Sequence, residues 1–233
     1  MIKFDVVTLF PQLFTEHFAN LPFKRAVEKN IAQYNLWNLR DFAVDKRGTV
    51  DDKTYGGGVG MILMVEPIYK ALEAIYGKGK IPEKSSKKQR VVVLTPAGES
   101  FTQQKAKEFS EYDQITLLCG RYEGMDARIE ENIATDRISV GNFVLSGGEL
   151  PALSIMESVT RLLPGVLEKE NVTKIESFSN GNIEYPQYTR PEDFRGMKVP
   201  NILVNGNHKE IEKWRQSKSK KMLKLPRSLP QSL

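Results

Sequence analysis

The sequence predicts an α/β fold built around a mostly parallel β-sheet. Two short apolar runs, at residues 91–94 and 115–119, have the length of buried strands. Longer segments between such runs carry apolar residues at helical spacing, and residues 65–76 are the clearest example. Strands that alternate with helices are joined by crossovers that leave the strands parallel. From this pattern alone we expect an open, doubly wound sheet, because the rules for chain connections disfavour knots.

Proline and threonine mark several of the element boundaries. Pro11 ends the first predicted strand, and Thr102 is a suitable N-cap for a helix in the middle of the chain. Pro151 and Pro164 stand at favoured positions near the start and just beyond the end of a long helix. The predicted strands are residues 3–10, 33–39, 91–94, 115–119 and 137–140. The predicted helices are residues 11–20, 23–30, 65–76, 102–111, 125–132, 150–163 and 209–218.

These elements divide the chain into three parts. Residues 1–163 hold all the predicted strands and form the α/β domain. Residues 164–182 are polar, contain glycines and show little periodicity, which predicts a flexible interdomain linker. Residues 183–233 contain at least one helix and no clear strand, which predicts a small helical C-terminal domain.

The composition indicates a soluble protein of a reducing compartment. A chain of 233 residues suits one large domain or one medium domain with a small appendage. No apolar run is long enough to predict a membrane span, and the N-terminus lacks the features of a signal peptide. Cys119 is the single cysteine, so no internal disulfide is expected. We therefore expect a cytoplasmic protein.

The net charge of +5 is concentrated at one end of the chain. Residues 208–233 contain eight Lys or Arg and two Glu, a net of +6, so residues 1–207 sum to −1. This asymmetry suggests a polyanionic partner, although a solvated tail that keeps the protein soluble explains the charge equally well. The basic cluster at residues 78–90 has the composition of an exposed loop, and we interpret it as a linker.

Glycine-rich segments follow three of the predicted strands, at residues 95–98, 119–124 and 139–148. Ligands of α/β sheets bind at the carboxyl ends of strands, and glycine lets backbone groups approach them closely. Each segment by itself is better explained by turns and helix caps. Together, at successive strand ends, they predict one pocket. None matches the dinucleotide fingerprint or the phosphate loop, so NAD and ATP are not indicated.

Seven sequence segments, spread over nearly the whole chain, carry a resemblance to a known family. They read DVVTLFPQLF, DDKTYGGGVGM, LLCGRYEGMDARI, ISVGNFVLSGGELPAL, TRLLPGVL, YTRPEDFRGMKVPNIL and GNHKEIEKWR. In this order and with this spacing the chain resembles the bacterial tRNA (guanine-37-N1)-methyltransferases, the TrmD family of the SPOUT class. The resemblance implies a parallel sheet with a deep trefoil knot and a small helical C-terminal domain.

The resemblance also implies S-adenosylmethionine as the methyl donor, held inside the knot mostly by backbone groups. Backbone recognition accounts for the abundance of glycine and small residues in the three segments. By match to the family, the cofactor-binding residues are Leu94, Thr95, Pro96, Gly120, Tyr122, Glu123, Gly124, Ser139, Val140, Gly141, Asn142, Phe143, Val144, Leu145, Gly147 and Gly148.

The implied reaction methylates N1 of guanine 37 in tRNA, next to the anticodon and preceded by a guanine. N1 carries a proton at neutral pH, so a base must remove it. Negative charge then develops on O6, where a nearby cation would stabilise it. The family's Asp-Ser-Phe motif reads Glu176-Ser177-Phe178 here, which makes Glu176 the implied base, and Arg161 is the matching cation. Without the family, Arg161 would be a helix-terminal arginine and Glu176 a solvated charge.

The family's partners and assembly follow from the same resemblance. It implies an obligate homodimer in which the linker and tail of one subunit cover the cofactor site of the other. Mg²⁺ is implied to assist the reaction, although the sequence shows no metal-ligating cluster, and His17 and His208 stand far apart. Lys53-Thr54 replaces the family's Arg-Pro, and Thr54 loosens a turn in a segment implied to hold RNA. We expect basic residues of the tail to bind the tRNA backbone in a salt-dependent way. They are Lys209, Lys213, Arg215, Lys218, Lys220, Lys221 and Lys224.

Two other functions compete with this interpretation. One is an RNA-binding protein of the same fold that has lost activity, which glutamate at position 176 favours and three intact cofactor loops disfavour. The other is a knotted methyltransferase acting on a ribose 2′-hydroxyl. The match through residues 188–203 and the basic tail favours the guanine enzyme.

Overall fold

The computed structural model describes residues 1–168, 173, 176–179 and 181–221. The chain divides into two compact units, Met1–Glu168 and Lys169–Leu233. Lys224 and part of the predicted linker at residues 164–182 lie outside the described residues, and the linker boundaries stay a prediction. Within the described ranges, no helix is long and apolar enough to cross a membrane.

A five-stranded sheet forms the centre of the first unit and confirms the predicted α/β class. All of its strand pairs are parallel. The strands are β1 (Ile2–Thr8), β2 (Ala32–Asn38), β5 (Gln89–Ser100), β6 (Gln114–Cys119) and β7 (Asp136–Ser139). Their spatial order is β2-β1-β6-β5-β7, so chain neighbours such as β2 and β5 are separated by crossovers. The trefoil knot stays a prediction.

Helices cover both faces of this sheet. Along β5, Val92 packs into one hydrophobic cluster and Val91 and Val93 into the other, because successive side chains of a strand point to opposite faces. Most of the helices pack with the first cluster, and α3 packs with the second. The helices are α1 (Gln12–Phe18), α2 (Phe23–Glu28), α3 (Val65–Tyr76), α4 (Gln103–Phe109) and α5 (Glu149–Thr160). Thr102 caps α4 as predicted, since its hydroxyl accepts a hydrogen bond from the backbone of Lys105 at 3.2 Å.

Residues 40–64, which lie between the predicted strand at 33–39 and the predicted helix at 65–76, contain a hairpin. Its strands are β3 (Asp51–Lys53) and β4 (Met61–Leu63), and a short 3-10 helix, Leu39–Phe42, precedes them. The helix predicted at residues 125–132 is displaced to a π-helical turn at Ile129–Ile133. The physical reason is that Met125 bridges to Leu63 of β4, which keeps the start of this segment extended.

The second unit is not purely helical, so the expectation of no strands in it was wrong. Four two-residue strands form two small antiparallel pairs, which are too short to give a hydrophobic alternation in the sequence. They are β8 (Asn182–Ile183), β9 (Asp193–Phe194), β10 (Met197–Lys198) and β11 (Lys220–Lys221). Two helices accompany them, α6 (Asn201–Asn205) and α7 (His208–Lys218), and α7 confirms the predicted helix.

Candidate cofactor cavity and catalytic residues

The carboxyl ends of three neighbouring strands meet at one level of the sheet. Leu94 of β5 pairs with Cys119 of β6 on one side and with Ile138 of β7 on the other. The glycine-rich segments that leave these strands therefore start side by side. They line a single cavity of about 290 Å³, which confirms that the three segments form one pocket.

Nearly all of the residues matched to the cofactor site line this cavity. Asn142 is the exception. Further lining residues lie within or close to the same segments, but the sequence did not single them out because their side chains reach the cavity only through the fold. They are Arg121, Met125, Glu130, Ile138, Ser146 and Pro151.

The first segment projects into the cavity as an excursion from β5. Leu94 and Glu99 both pair with Ile138, so the four residues between them leave the ladder while the strand direction continues. Gly98 permits this excursion, because a Cβ atom there would lie 2.5 Å from the backbone nitrogen of Ile138. Thr95 and Pro96 are thereby carried to the cavity wall.

The second segment is fixed by the β3–β4 hairpin. The backbone N–H of Glu123 donates to the Met61 carbonyl at 3.0 Å, and the N–H of Leu63 donates to the Gly124 carbonyl at 2.9 Å. Tyr122, which directly precedes Glu123, has a φ of 58°, a strained value for a bulky residue. The hairpin thus holds the turn that carries Tyr122 and Glu123 into the cavity wall.

A buried ion pair joins the second segment to the third. The carboxylate of Glu149 is 2% exposed; its Oε1 accepts from the Thr8 hydroxyl at 2.7 Å and from Nε of Arg121 at 3.2 Å. Nη2 of Arg121 lies 2.8 Å from Oε2, an ion-pair contact without hydrogen-bond alignment. The Arg121 guanidinium also stacks over the Phe10 ring at 4.4 Å. Burial raises the pKa of the adjacent Cys119 thiol, and the Glu149 charge adds to that effect, so the thiol stays neutral.

Arg161, the implied cation, lies at the opposite end of α5 from the cavity. Gly148 and Pro151, at the start of the helix, border the cavity, whereas Arg161 follows its last residue. The helix has 12 residues. At the usual helical rise this separates the two ends by about 18 Å. Arg161 instead lines a second cavity of about 220 Å³, which also includes Glu157 and Arg25.

Glu176, the implied base, lies in the second unit on a closed turn. The backbone N–H and the hydroxyl of Ser179 donate to the Glu176 carbonyl, at 3.2 Å and 2.6 Å. The hydroxyl of Ser177 accepts from the backbone N–H of Glu184 at 3.0 Å, and Phe178 adopts a φ of 71°. The Glu176-Ser177-Phe178 motif therefore has a defined backbone, from which the partly buried Glu176 side chain projects.

Comparison with known proteins identifies the family. The family described as tRNA (guanine-1)-methyltransferase TrmD matches residues 2–229. The chain belongs to this family. A TrmD-family relative from Anoxybacillus flavithermus, named tRNA (guanine-N(1)-)-methyltransferase, is 48% identical over 94% of this chain and 86% of its own length. A protein of the same name from Dehalococcoides mccartyi is 44% identical over the same shares of both chains.

A solved TrmD-family structure supports the fold independently. The crystal structure of tRNA (m1G37) methyltransferase from Aquifex aeolicus matches 91% of this chain and 87% of its own, with a TM-score of 0.74 and 39% identity. This agreement confirms the SPOUT-class fold inferred from the motifs. Across the described part of this TrmD-family chain, no group of three or more His, Cys, Asp or Glu side chains could hold a metal ion.

The Arg121–Glu149 pair predicts a large effect on the stability of this TrmD-family fold. Replacing Arg121 with Met leaves the Glu149 charge buried with the Thr8 hydroxyl but no cation, which should lower the free energy of unfolding by about 3 kcal/mol. Urea denaturation followed by circular dichroism measures this change. Arg121→Met combined with Glu149→Gln should recover part of the loss. Arg128→Met is the control. The Arg128 side chain, which pairs with Asp126, is exposed, and exposed ion pairs contribute little to stability. An Arg121→Met protein as stable as wild type would contradict the argument.

Proposed function

We propose that this chain transfers a methyl group from S-adenosylmethionine to N1 of guanine 37 in tRNA, where a guanine precedes the target. The observation that carries the proposal is that three segments matched to the family's cofactor site, far apart in sequence, line one cavity. Membership of the TrmD family supports the tRNA substrate and the methyl transfer.

The residues of the cavity suit S-adenosylmethionine. Its glycines keep backbone groups within reach of a ligand; at Gly148 a Cβ atom would lie 2.7 Å from Cα of Cys119, so no side chain fits there. Leu94, Ile138 and Leu145 offer apolar surface to a purine ring. When bound, the cofactor supplies an electrophilic methyl group on a cationic sulfur. Glu123 provides a carboxylate at the wall, and the guanidinium of Arg121, which also lines the cavity, is paired with Glu149.

Two side chains outside the cavity handle the proton and the developing charge. Glu176 accepts the proton from guanine N1, and its extra methylene, compared with the aspartate of the family motif, carries the carboxylate further from the closed turn. Arg161 donates to O6, where negative charge accumulates as the proton leaves. The i to i+3 turn around Glu176 supports these roles because it orients the side chain from a fixed backbone.

We propose that the active site is completed by a second copy of the chain. One helix separates Arg161 from the cavity of its own chain by about 18 Å, which is too far for both to act on one base. A homodimer resolves this distance if one copy supplies the cofactor cavity and the other supplies Arg161 and Glu176. Exposed apolar side chains beside the cavity, Phe143 at 55%, Val144 at 85% and Leu150 at 61%, are suited to being covered by that partner.

The basic face of the second unit is proposed to bind the tRNA backbone. Helix α7, whose N-cap is Asn207, has Lys209 and Lys213 exposed to solvent. Arg215 of the same helix is partly buried, and its guanidinium lies 5.0 Å from the centre of the Tyr185 ring. Phosphate groups are the natural partners of such a surface. A tRNA substrate and a single buried cysteine also support a cytoplasmic, reducing location.

The test is methyl transfer from labelled S-adenosylmethionine to tRNA transcripts with guanine at positions 36 and 37, followed by nucleoside analysis. We expect 1-methylguanosine with the G37 transcript and no label with an A37 control. Formation of a 2′-O-methylated nucleoside instead would show a ribose methyltransferase. Tight tRNA binding without any transfer would show an RNA-binding protein that has lost activity.

A further inference from the structure

The second cavity has the composition of a site for a polar, flat ring. Its walls include the apolar side chains of Pro22, Val166 and Leu167. Three charged side chains, Arg25, Glu157 and Arg161, stand at its border. Apolar walls with a few charged groups at one side are typical of pockets that hold and orient a heterocycle.

Arg25 shapes this cavity. Its Nη1 donates to the Val166 carbonyl at 3.1 Å, and its Nη2 donates to Oε1 of Glu168 at 2.8 Å. Lys29, the C-cap residue directly after α2, donates to the Gly165 carbonyl at 2.9 Å. These bonds fix the segment after α5 as a wall of the cavity and engage the Arg25 guanidinium in doing so. The other two charged groups, Glu157 and Arg161, define the chemistry of the border.

Glu157 and Arg161 are four positions apart in the sequence, at the C-terminal end of α5. Their side chains therefore lie on the same face of the helix. The Cβ atoms of such a pair are about 6 Å apart. Among the described residues no hydrogen bond or ion pair engages the carboxylate of Glu157. This border therefore presents an acceptor and a guanidinium at a spacing close to the width of a nucleobase edge.

We propose that Glu157 determines the base specificity of the reaction by accepting a hydrogen bond from the 2-amino group of the target guanine. This inference rests on the proposed function. The Watson–Crick edge of guanine carries, in order, the O6 acceptor, the N1–H donor and the 2-amino donor. Arg161 donates to O6 at one end, Glu157 accepts from the amino group at the other, and N1 between them is left for Glu176. Adenine has an amino group where guanine has O6, so this hydrogen-bond donor would face the donors of Arg161.

The experiment compares transcripts with guanosine or inosine at position 37, because inosine keeps O6 and N1–H and lacks only the 2-amino group. Wild-type protein should favour the guanosine transcript by roughly 10- to 100-fold in kcat/KM, the usual range for a hydrogen bond to a charged group. The Glu157→Met protein should methylate both transcripts with the kcat/KM that wild type shows for the inosine transcript. Glu66→Met, an exposed glutamate on α3 across the sheet, is the matched control and should keep the wild-type preference.

The ratio of the two rates comes from one preparation, so it does not depend on how much of a variant is folded. A Glu157→Met protein that still prefers guanosine would overturn the proposal. So would a variant that slows both transcripts equally, which would mean that Glu157 only positions Arg161. If wild type forms no 1-methylguanosine on the guanosine transcript, the proposed function itself fails, and that result is distinct from a lost preference.

Discussion

Glu176→Gln is expected to lower kcat for methyl transfer by roughly 10³-fold, within the usual contribution of a general base. The amide is nearly the same size as the carboxylate and keeps its backbone turn, but it cannot take the proton from guanine N1. Glu176→Asp should retain much of the activity, because it restores the family's residue with one methylene fewer. Single-turnover transfer of labelled methyl to a G37 transcript measures both variants.

The control for this prediction separates catalysis from folding and cofactor binding. Glu184→Gln changes a nearby carboxylate of the same unit and should leave kcat near the wild-type value. S-adenosylmethionine should stabilise Glu176→Gln against heat as strongly as it does wild type, because the residues of the first cavity are unchanged. A Glu176→Gln protein nearly as fast as wild type would show that another group removes the proton.

The pocket lined by the three glycine-rich segments was predictable, because the sequence signal for each segment is local. Each glycine-rich segment follows its own apolar run, and parallel strands bring their carboxyl ends to one edge. The four-residue excursion of β5 was not predictable, because the apolar pattern stops at Leu94 while the ladder resumes at Glu99. That resumption depends on the pairing of Glu99 with Ile138, a contact between strands that no single segment encodes.

Buried charge is the second feature that the sequence conceals. Thr8 and Arg121 both contact Glu149, across separations of 141 and 28 residues. In sequence Glu149 is an ordinary first-turn acid of a helix, and only the fold shows that its environment is buried. Glu157 stays exposed, and only the fold shows that it borders a cavity together with Val166 and Leu167 of the segment after α5.

Mixed dimers are expected to regain activity that both of their parent proteins lack. One parent is Glu176→Gln, with an intact cavity and no base. The other is Leu145→Arg, in which a long cation at a 39% exposed position of the wall opposes the cationic cofactor. Loss of thermal stabilisation by S-adenosylmethionine would first confirm that Leu145→Arg no longer binds it. Two different affinity tags on co-expressed chains allow the mixed dimer to be purified.

If the cavity of one copy works with Glu176 of the other, the mixed dimer has one complete site and one doubly damaged site. Its activity should be about half that of wild type, as expected for two equivalent sites related by twofold symmetry. If each chain used its own Glu176, both sites would be damaged and the mixed dimer would be inactive. Since Arg161 lies about 18 Å from the cavity of its own chain, the shared arrangement is the one that brings a cation to the methyl group. Half activity would therefore establish that two copies build each site, and inactivity would show that the cavity and Glu176 of a working site come from the same chain.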